Sequence, residues 1–244
     1  MISDHEVALD VAEGAGRFLL RVRAEFRSAA PEVLRAEGDR CSHRWITGAL
    51  RLARPHDVVL SEEGDLTDLA RLDAARVWIV DPLDGTREFG EPGRGDWAVH
   101  VALWEGRGLT AGAVTLPAAD LSFSTAHPPL LPPRVASTGL RLVASRTRRS
   151  SVVEDVAARL GAEVVPMGSA GAKAMAVVRG TADLYAHAGG LREWDVAAPA
   201  AVAAAAGLHV SRLDGSPMFF NGRSGWVGDL LICRPELASR ALGL

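Results

Sequence analysis

Residues 77–86 read Val77-Trp78-Ile79-Val80-Asp81-Pro82-Leu83-Asp84-Gly85-Thr86, and this stretch decides the fold. The first four are β-branched or aromatic and uninterrupted by polar residues, the pattern of a buried strand. That strand delivers Asp81 to its carboxyl end, where Pro82, which has no N–H to give to a ladder, is expected to end it. Asp84 then comes back toward Asp81, and the Leu83 carbonyl between them has no obvious backbone partner. Gly85 permits positive φ or the close approach of a ligand. Thr86 offers a hydroxyl and an amide where a helix can start, a place that suits anions. Two bare carboxylates about 4 Å apart repel by about 4 kcal/mol at an effective dielectric near 20. A proton, an arginine or a divalent cation must offset that. Oxygen-only donors favour Mg²⁺, Mn²⁺ or Ca²⁺ over zinc. Asp-Gly by itself is ordinarily a turn, but a turn has no need of the strand, the second aspartate and the threonine together.

Around this stretch the composition is that of an ordinary globular chain: 244 residues, 48% hydrophobic, 23% charged, net charge −3. No run of about 18 apolar residues is present, so no membrane span is expected. The opening MISDHEVALD lacks the basic and apolar regions of a secretory signal. Cys41 and Cys233 form no CxxC pair, which excludes a cysteine zinc site or a disulfide framework and suits a reducing cytoplasm. The mild acidity argues against a nucleic-acid polymer as partner. The acids are not spread evenly, since residues 57–96 hold eleven against four bases. Such a segment is usually a solvated face, and it is also what a cation site looks like. Lys173 is the only lysine and Asn221 the only asparagine.

The rest of the chain reads as alternating elements. Ser3 and Glu6 have capping-box spacing ahead of the stripe Val7, Val11, Phe18 and Val22, so a helix opens the chain. A second helix is expected over about 43–53, and Val58-Val59-Leu60 forms a strand leading to Ser61-Glu62-Glu63. Residues 97–104, 109–116 and 121–125 have the pattern of an antiparallel meander, with the apolar members of Trp97–Trp104 in the core. Four prolines within residues 128–133 read as a linker. Beyond it, strands at 140–144, 163–166, 182–187, near 209 and at 230–233 are interleaved with helices at 151–160, 172–179, 195–206 and from 235. The result is an α+β half, 1–134, followed by an α/β half, 135–244.

Other acids stand at element ends. Glu62 follows a strand, which alone would be a solvated loop. Asp195 opens the alanine-rich helix and Asp39 precedes the second helix, and each alone would be an N-cap. A capping carboxylate can still offer its other oxygen to a metal. Lys173 has two readings, a solvated side chain or a contact to a second phosphate or ribose. The Gly and Lys spacing around it is not that of a phosphate-binding P-loop. His187, at a strand end, is read first as structural and second as a base or sugar contact. The seven histidines show no zinc spacing.

Taken together, VWIVDPLDGTREF at 77–89, the upstream Ser61-Glu62-Glu63 and EWDVAAP at 193–199 resemble the magnesium-dependent, lithium-sensitive phosphatases of the inositol monophosphatase superfamily, over essentially the whole chain. Thr86-Arg87-Glu88-Phe89 and the stretch from Gly168 to Gly190 resemble its nucleotide-phosphatase branch, of actinobacterial type, which acts on 3'-phosphoadenosine 5'-phosphate. The resemblance implies an α/β fold layered as an αβαβα sandwich. It implies two Mg²⁺ ions, with a third at a weaker place and Mn²⁺ as a substitute. Glu62, Asp81 and the Leu83 carbonyl would hold the first ion, and Asp81, Asp84 and Asp195 the second. Asp39 would pair with Thr86 to orient the attacking water, or hold the third ion. Gly85 and Thr86 would grip the phosphate, and Arg87, Ser169, Lys173 and His187 join Glu62, Leu83 and Asp195 around the substrate. The implied partner is a small-molecule phosphate ester, with no membrane and with a homodimer common in the superfamily. The same metal site would serve an inositol monophosphatase or a fructose-1,6-bisphosphatase, and a silent nucleotide- and metal-binding module is the alternative outside enzymes. Two positions depart from the family pattern. Gly38 replaces a usual alanine, read as harmless, and His43 stands where an acid is frequent, which leaves the third-metal region open.

Overall fold

The computed structural model describes residues 2–67, 69–134, 139–148 and 150–244. Helix α1, Asp4–Glu25, starts on the expected capping box, with the Ser3 amide donating to Glu6 Oε2 at 2.7 Å. Its stripe of Val7, Val11 and Val22, joined by Ala8, Ala15 and Leu19, is buried. Helix α2 is Pro31–Ala53, twelve residues longer at its start than the expected 43–53. The signal for that start is weak: Pro31 occupies the first turn, where its missing N–H costs nothing, but Ala30 offers no side-chain cap.

Strand β1, Val58–Ser61, runs parallel to β2, Arg76–Asp84. Three antiparallel strands continue the sheet, β3 at Ala98–Glu105, β4 at Gly108–Leu116 and β5 at Leu121–Ser124, in the order β1-β2-β3-β4-β5. The short α3, Thr86–Gly90, follows β2. The proline-rich segment 127–133 forms neither helix nor strand. The second sheet has the order β7-β6-β8-β10-β9. Its strands are β6, Arg141–Ser145; β7, Glu163–Met167; β8, Leu184–Arg192; β9, His209–Ser211; and β10, Trp226–Cys233. The interleaved helices are α4, Ser151–Leu160; α5, Ala170–Val178; α6, Glu193–Ala205; and the terminal α7, Ala238–Leu242.

Burial fixes how these elements stack. Helices α1 and α2 cover one face of the first sheet around Trp78, Val80, Trp97, Val99 and Val101. The other face of that sheet, including Ile79, Ala98 and Ala102, packs on α5 and α6, which also contact the second sheet through Tyr185, Leu230 and Ile232. On the far side α4 and α7 close over Leu142, Leu184 and Leu231. This is the expected αβαβα sandwich. Because the first sheet is covered on both faces, the alternation in β3 does not separate core from solvent: Ala98, His100 and Ala102 are as buried as Val99 and Val101. Small side chains on α5 and α6, mostly alanines, let the two sheets approach from either side of one helical layer. Among the described residues no helix is long and apolar enough to cross a membrane, and Cys41 and Cys233 are both free thiols.

Candidate functional site

The strand reading of residues 77–84 needs one correction. β2 does not stop at Asp81-Pro82 but pairs with β3 as far as Asp84. Asp81 faces His100 and Asp84 faces Ala98, so between these pairs β2 advances one residue more than β3. That extra residue is a β-bulge. In an unbroken strand residues three apart point to opposite faces; the bulge turns Asp81 and Asp84 to the same side. Pro82 fits there because a bulge releases one residue from donating to the ladder. Its carbonyl is held from α2 by the Ser42 hydroxyl at 2.6 Å. The Leu83 amide donates to Asp81 Oδ1 at 3.0 Å. Gly85 then takes φ +86°, and a Cβ there would lie 3.1 Å from the Asp96 carbonyl oxygen and 3.1 Å from Ser169 Cβ. Both the φ and the crowding demand glycine.

Asp195 reaches the same place from the second half of the chain. β8 extends to Arg192, five residues past the expected end at His187, so α6 begins at Glu193. Asp195 is therefore not the N-cap but the third residue of the helix, and its Oδ2 accepts the Arg192 amide at 2.7 Å. Asp39 is not a cap either. It lies inside α2, where the Thr86 hydroxyl stands 3.3 Å from its Oδ1 and 3.0 Å from the Leu83 carbonyl oxygen. Glycine at position 38 is accommodated, and its surroundings leave no room for the usual alanine. A Cβ at this position would sit 2.7 Å from Phe89 Cε1 and 2.9 Å from Leu83 Cδ2, so the missing methyl is what lets α2 lie against the Asp81–Phe89 segment.

One oxygen of each of Asp81, Asp84 and Asp195 lies within 4.8 Å of the others, the one such convergence of acids, cysteines or histidines among the described residues. Each carboxylate also has an oxygen occupied by the protein. Asp81 Oδ1 takes the Leu83 amide, Asp84 Oδ2 takes the Ser169 hydroxyl and the Gly171 amide at 2.7 Å, and Asp195 Oδ2 takes the Arg192 amide. Each carboxylate has a second oxygen for which no such bond is described. This is an oxygen-only donor set of the kind that suits a hard divalent cation. Glu62 stands beside the cluster rather than in it, exposed at the end of β1, where it lines a cavity with Asp84 and Asp195.

The electrostatics record the crowding. Burial, then Glu62, Asp84 and Asp195, raise Asp81 well above the usual carboxylate range. Glu62 is pushed up to about 7 by desolvation of its carboxyl, although the residue as a whole is exposed, and by Asp195, Asp39 and Asp84. Asp195 is raised to about 6 by burial and Asp84, against the Arg192 amide. Burial and Glu63 push Asp39 up to about 7. Asp84 goes the other way. Burial opposes its charge, but His100, Lys173 and the Ser169 hydroxyl hold it below the usual range. Carboxyls that hold protons this tightly are ones to which a cation would be welcome.

The cavity has a volume of about 330 Å³ and is lined by both acidic and basic side chains, Glu62, Asp84 and Asp195 with Arg148, Lys173 and Arg192. Lys173 is not solvated. It is 4% exposed, with Nζ donating to the Ser169 carbonyl at 2.6 Å and the Gly168 carbonyl at 3.3 Å. It also lies 5.2 Å from the centre of the Tyr185 ring. Burial lowers its pKa. Ser169, at φ +51°, caps α5 by accepting the Ala172 amide while its hydroxyl donates to Asp84. His187 lines the cavity between the Tyr185 hydroxyl, 3.3 Å from Nδ1, and the Gly189 carbonyl, 2.9 Å from Nε2. Burial and Lys173 depress it to about 4, so its ring is neutral. Arg87 is exposed on α3 and is not part of the cavity wall. Tyr185, Arg148 and Arg192 line the cavity without having been singled out in the sequence. His100 was also passed over. Its one signal was a polar side chain in an apolar strand. A larger cavity, about 480 Å³, lies between α1, β4 and α6 and contains no acid.

A model of the inositol monophosphatase family matches residues 5–241. The 3'-phosphoadenosine 5'-phosphate phosphatase of Mycobacterium bovis is 48% identical over 237 residues, covering 94% of this chain and 88% of that protein. The protein of the same name from Mycobacterium leprae is 44% identical, covering all of this chain and 93% of its own. A crystal structure of CysQ from Bacteroides thetaiotaomicron superposes with a TM-score of 0.78 at 26% identity, over 95% of this chain and 97% of that one. Carboxylates gathered by a bulge in one half and a helix start in the other are thus set in a fold and a sequence that agree end to end, and the chain belongs to the inositol monophosphatase family, a family of metal-dependent phosphatases.

Proposed function

We propose that the protein removes the 3'-phosphate of 3'-phosphoadenosine 5'-phosphate, giving AMP and phosphate, with Mg²⁺ as its cofactor. The observation that carries this reading is the convergence of Asp81, Asp84 and Asp195, two of which line a cavity together with Lys173, Arg148 and Arg192. A phosphate can sit over these acids only with cations present, and the basic side chains of the same cavity suit a second anionic group on the same small molecule. The two mycobacterial relatives support the choice of a nucleotide bisphosphate over an inositol or sugar phosphate.

Glu62, Asp81 and the Leu83 carbonyl would hold one Mg²⁺, and Asp81, Asp84 and Asp195 a second. Four carboxylates and two divalent ions then sum to zero charge, so a phosphate dianion meets no net repulsion. Bound Mg²⁺ supplies Lewis acidity and an acidified water to a direct in-line displacement. The protein's own contributions are positional. The Leu83, Ser169, Gly171 and Arg192 donors orient the carboxylates. The amides of Gly85 and Thr86, where α3 starts, would grip the phosphate. Asp39 and Thr86 form a pair able to direct a water at the reacting phosphorus, with Asp39 as the proton acceptor. The third N–H of Lys173, left over after two backbone carbonyls, is available to the second phosphate. Ser169 and His187 border the same space, and Arg87 would reach the substrate only from outside the cavity.

The test is Mg²⁺-dependent phosphate release from 3'-phosphoadenosine 5'-phosphate, inositol 1-phosphate and fructose 1,6-bisphosphate, compared by kcat/KM. The nucleotide is expected to lead by about tenfold or more, the scale of one charge-assisted contact. A lead of that size for inositol 1-phosphate would move the assignment.

A further inference from the structure

The mechanism above makes no use of His100, yet this side chain has no exposed surface at all and stands beside the acid cluster. It projects from β3, opposite Asp81 in register, into the helical layer between the sheets. Its two nitrogens meet different elements. Nδ1 is 3.0 Å from the carbonyl oxygen of Trp194, the residue before Asp195. Nε2 is 3.3 Å from Asp84 Oδ2, a close approach without the alignment of a full hydrogen bond, so that nitrogen is otherwise without a partner. Below the ring the first turn of α5 passes at Gly171, where a Cβ would come within 2.1 Å of Nε2. The Gly171 amide also donates to Asp84 Oδ2. One imidazole therefore touches the bulge that carries Asp81 and Asp84, the helix start that carries Asp195, and the glycine that makes room for it.

We propose that His100 is a positioning residue for the metal site: with Nδ1 bonded to the Trp194 carbonyl and Nε2 packed against Asp84 Oδ2, the ring sets the spacing between the β2 bulge and the start of α6, and holds the Asp84 carboxylate in its place in the cluster. The inference rests on reading Asp84 and Asp195 as metal ligands. A ring in this place is rigid and bridges about the distance that the two elements must keep, whereas an aliphatic side chain would fill the volume and hold neither oxygen. The conformation of Asp84 would then depend on Ser169 and Gly171 alone, and the start of α6 would lose its tie to the first sheet. Supporting contacts of this kind change metal affinity more than they change the fold.

Two replacements separate the contacts. In His100→Asn the amide nitrogen occupies roughly the place of Nδ1 and keeps the Trp194 contact. In His100→Gln it occupies roughly the place of Nε2 and keeps the Asp84 contact. His100→Val keeps neither. Mn²⁺ binding to the purified full-length protein, measured from the free-ion paramagnetic resonance signal, gives a readout independent of turnover. Mg²⁺ half-activation, kcat and KM are measured alongside. The valine variant is expected to bind Mn²⁺ about tenfold or more weakly, with a matching rise in the Mg²⁺ needed for half-activation and a KM at saturating Mg²⁺ within about twofold of the parent. The glutamine variant is expected to recover most of the affinity, and the asparagine variant less. Should the valine protein fail to fold, the asparagine and glutamine proteins decide the matter by the same measurement. Unchanged Mn²⁺ affinity in folded variants, or equal losses in asparagine and glutamine that follow their losses in thermal stability, would overturn the inference. Asp84→Asn in the same titration tells this failure from that of the metal reading. If the parent binds Mn²⁺ and Asp84→Asn does not while the His100 variants do, only the role of His100 falls. If Asp84→Asn binds as the parent does, the ligand assignment falls and this inference with it.

Discussion

At Asp84 one carboxylate is held anionic in a place with almost no solvent. Its charge is supported by the Ser169 hydroxyl, the Gly171 amide, His100 and Lys173. Replacing it by asparagine keeps the shape and one oxygen for those donors but removes the charge that a cation would meet. Asp84→Asn is therefore expected to lower kcat by about three orders of magnitude while the far-ultraviolet circular dichroism stays that of the parent. Activity within tenfold of the parent would contradict the ligand reading. Lys173 calls for a subtler change. Two of its N–H groups serve the Gly168 and Ser169 carbonyls, and the stem is buried, so methionine fills the space without the charge. Lys173→Met is expected to raise KM for a bisphosphorylated nucleotide about tenfold and to move KM for a monophosphate much less. Steady-state kinetics on the two substrates, with equal effects as the contrary outcome, would return Lys173 to a purely architectural part.

Among the elements, the places where the sequence could be read and where it could not have physical reasons. β2 was legible because a run of apolar β-branched and aromatic residues has few other uses, and α1 because a capping box fixes its first turn. The bulge was not legible: whether a strand ends at Asp81-Pro82 or continues with one extra residue depends on its neighbour β3, not on local preference. The start of α6 was misplaced because β8 runs on through Gly189 and Gly190, residues that ordinarily read as a turn. Asp81 and Asp84 were legible as chemistry, since paired carboxylates beside a glycine and a strand end invite a cation, whereas Asp195 alone read as a helix cap and joined them only through the family resemblance. His100 was not, because a lone histidine in a core strand is ambiguous until its neighbours are known. Gly38 is the clearest case of context reversing a local rule. A glycine inside a helix costs about 1 kcal/mol relative to alanine, so Gly38→Ala ought to stabilise α2. Here the added methyl would meet the wholly buried Phe89 ring and the Leu83 side chain at under 3 Å. Overpacking of that kind costs about 1–3 kcal/mol, and it displaces the segment bearing Leu83 and Thr86. The variant is expected to unfold at lower urea concentration and to lose activity. A higher midpoint would mean that the ring yields.

Over the whole molecule, the proposed ligands are divided between the halves: Asp81 and Asp84 come from the first sheet and Glu62 from the turn after β1, while Asp195 comes from a helix packed between the two sheets. Binding a cation therefore ties the halves together, and its free energy adds to that of folding. With Mg²⁺ at about a hundred times its dissociation constant the gain is about 2.7 kcal/mol, or about 5–10 °C in Tm for a chain of this length. The gain must depend on pH. Without metal, Asp81, Glu62, Asp195 and Asp39 hold protons in the folded chain to higher pH than in the unfolded chain. The unfolded state therefore binds fewer protons between the ordinary carboxylate range and about 7, and these groups make the metal-free protein less stable as pH rises through that window. His187, depressed to about 4, and His43, lowered by burial, act in the opposite sense, since the folded chain resists protonating them. Comparing melts with Mg²⁺ and with EDTA at the same pH largely cancels the histidines, which carry no assigned ligand role, and leaves the carboxylates, where the cation and protons compete. The Mg²⁺-induced rise in Tm is accordingly expected to grow between about pH 5 and pH 7.5, as Asp81, Glu62 and Asp195 become free to bind. In Asp195→Asn, which removes the ligand proposed from the second half, the rise should be small at every pH. A Mg²⁺ effect that is flat across this range in the parent, or intact in the variant, would show that the cation is not held between the two halves.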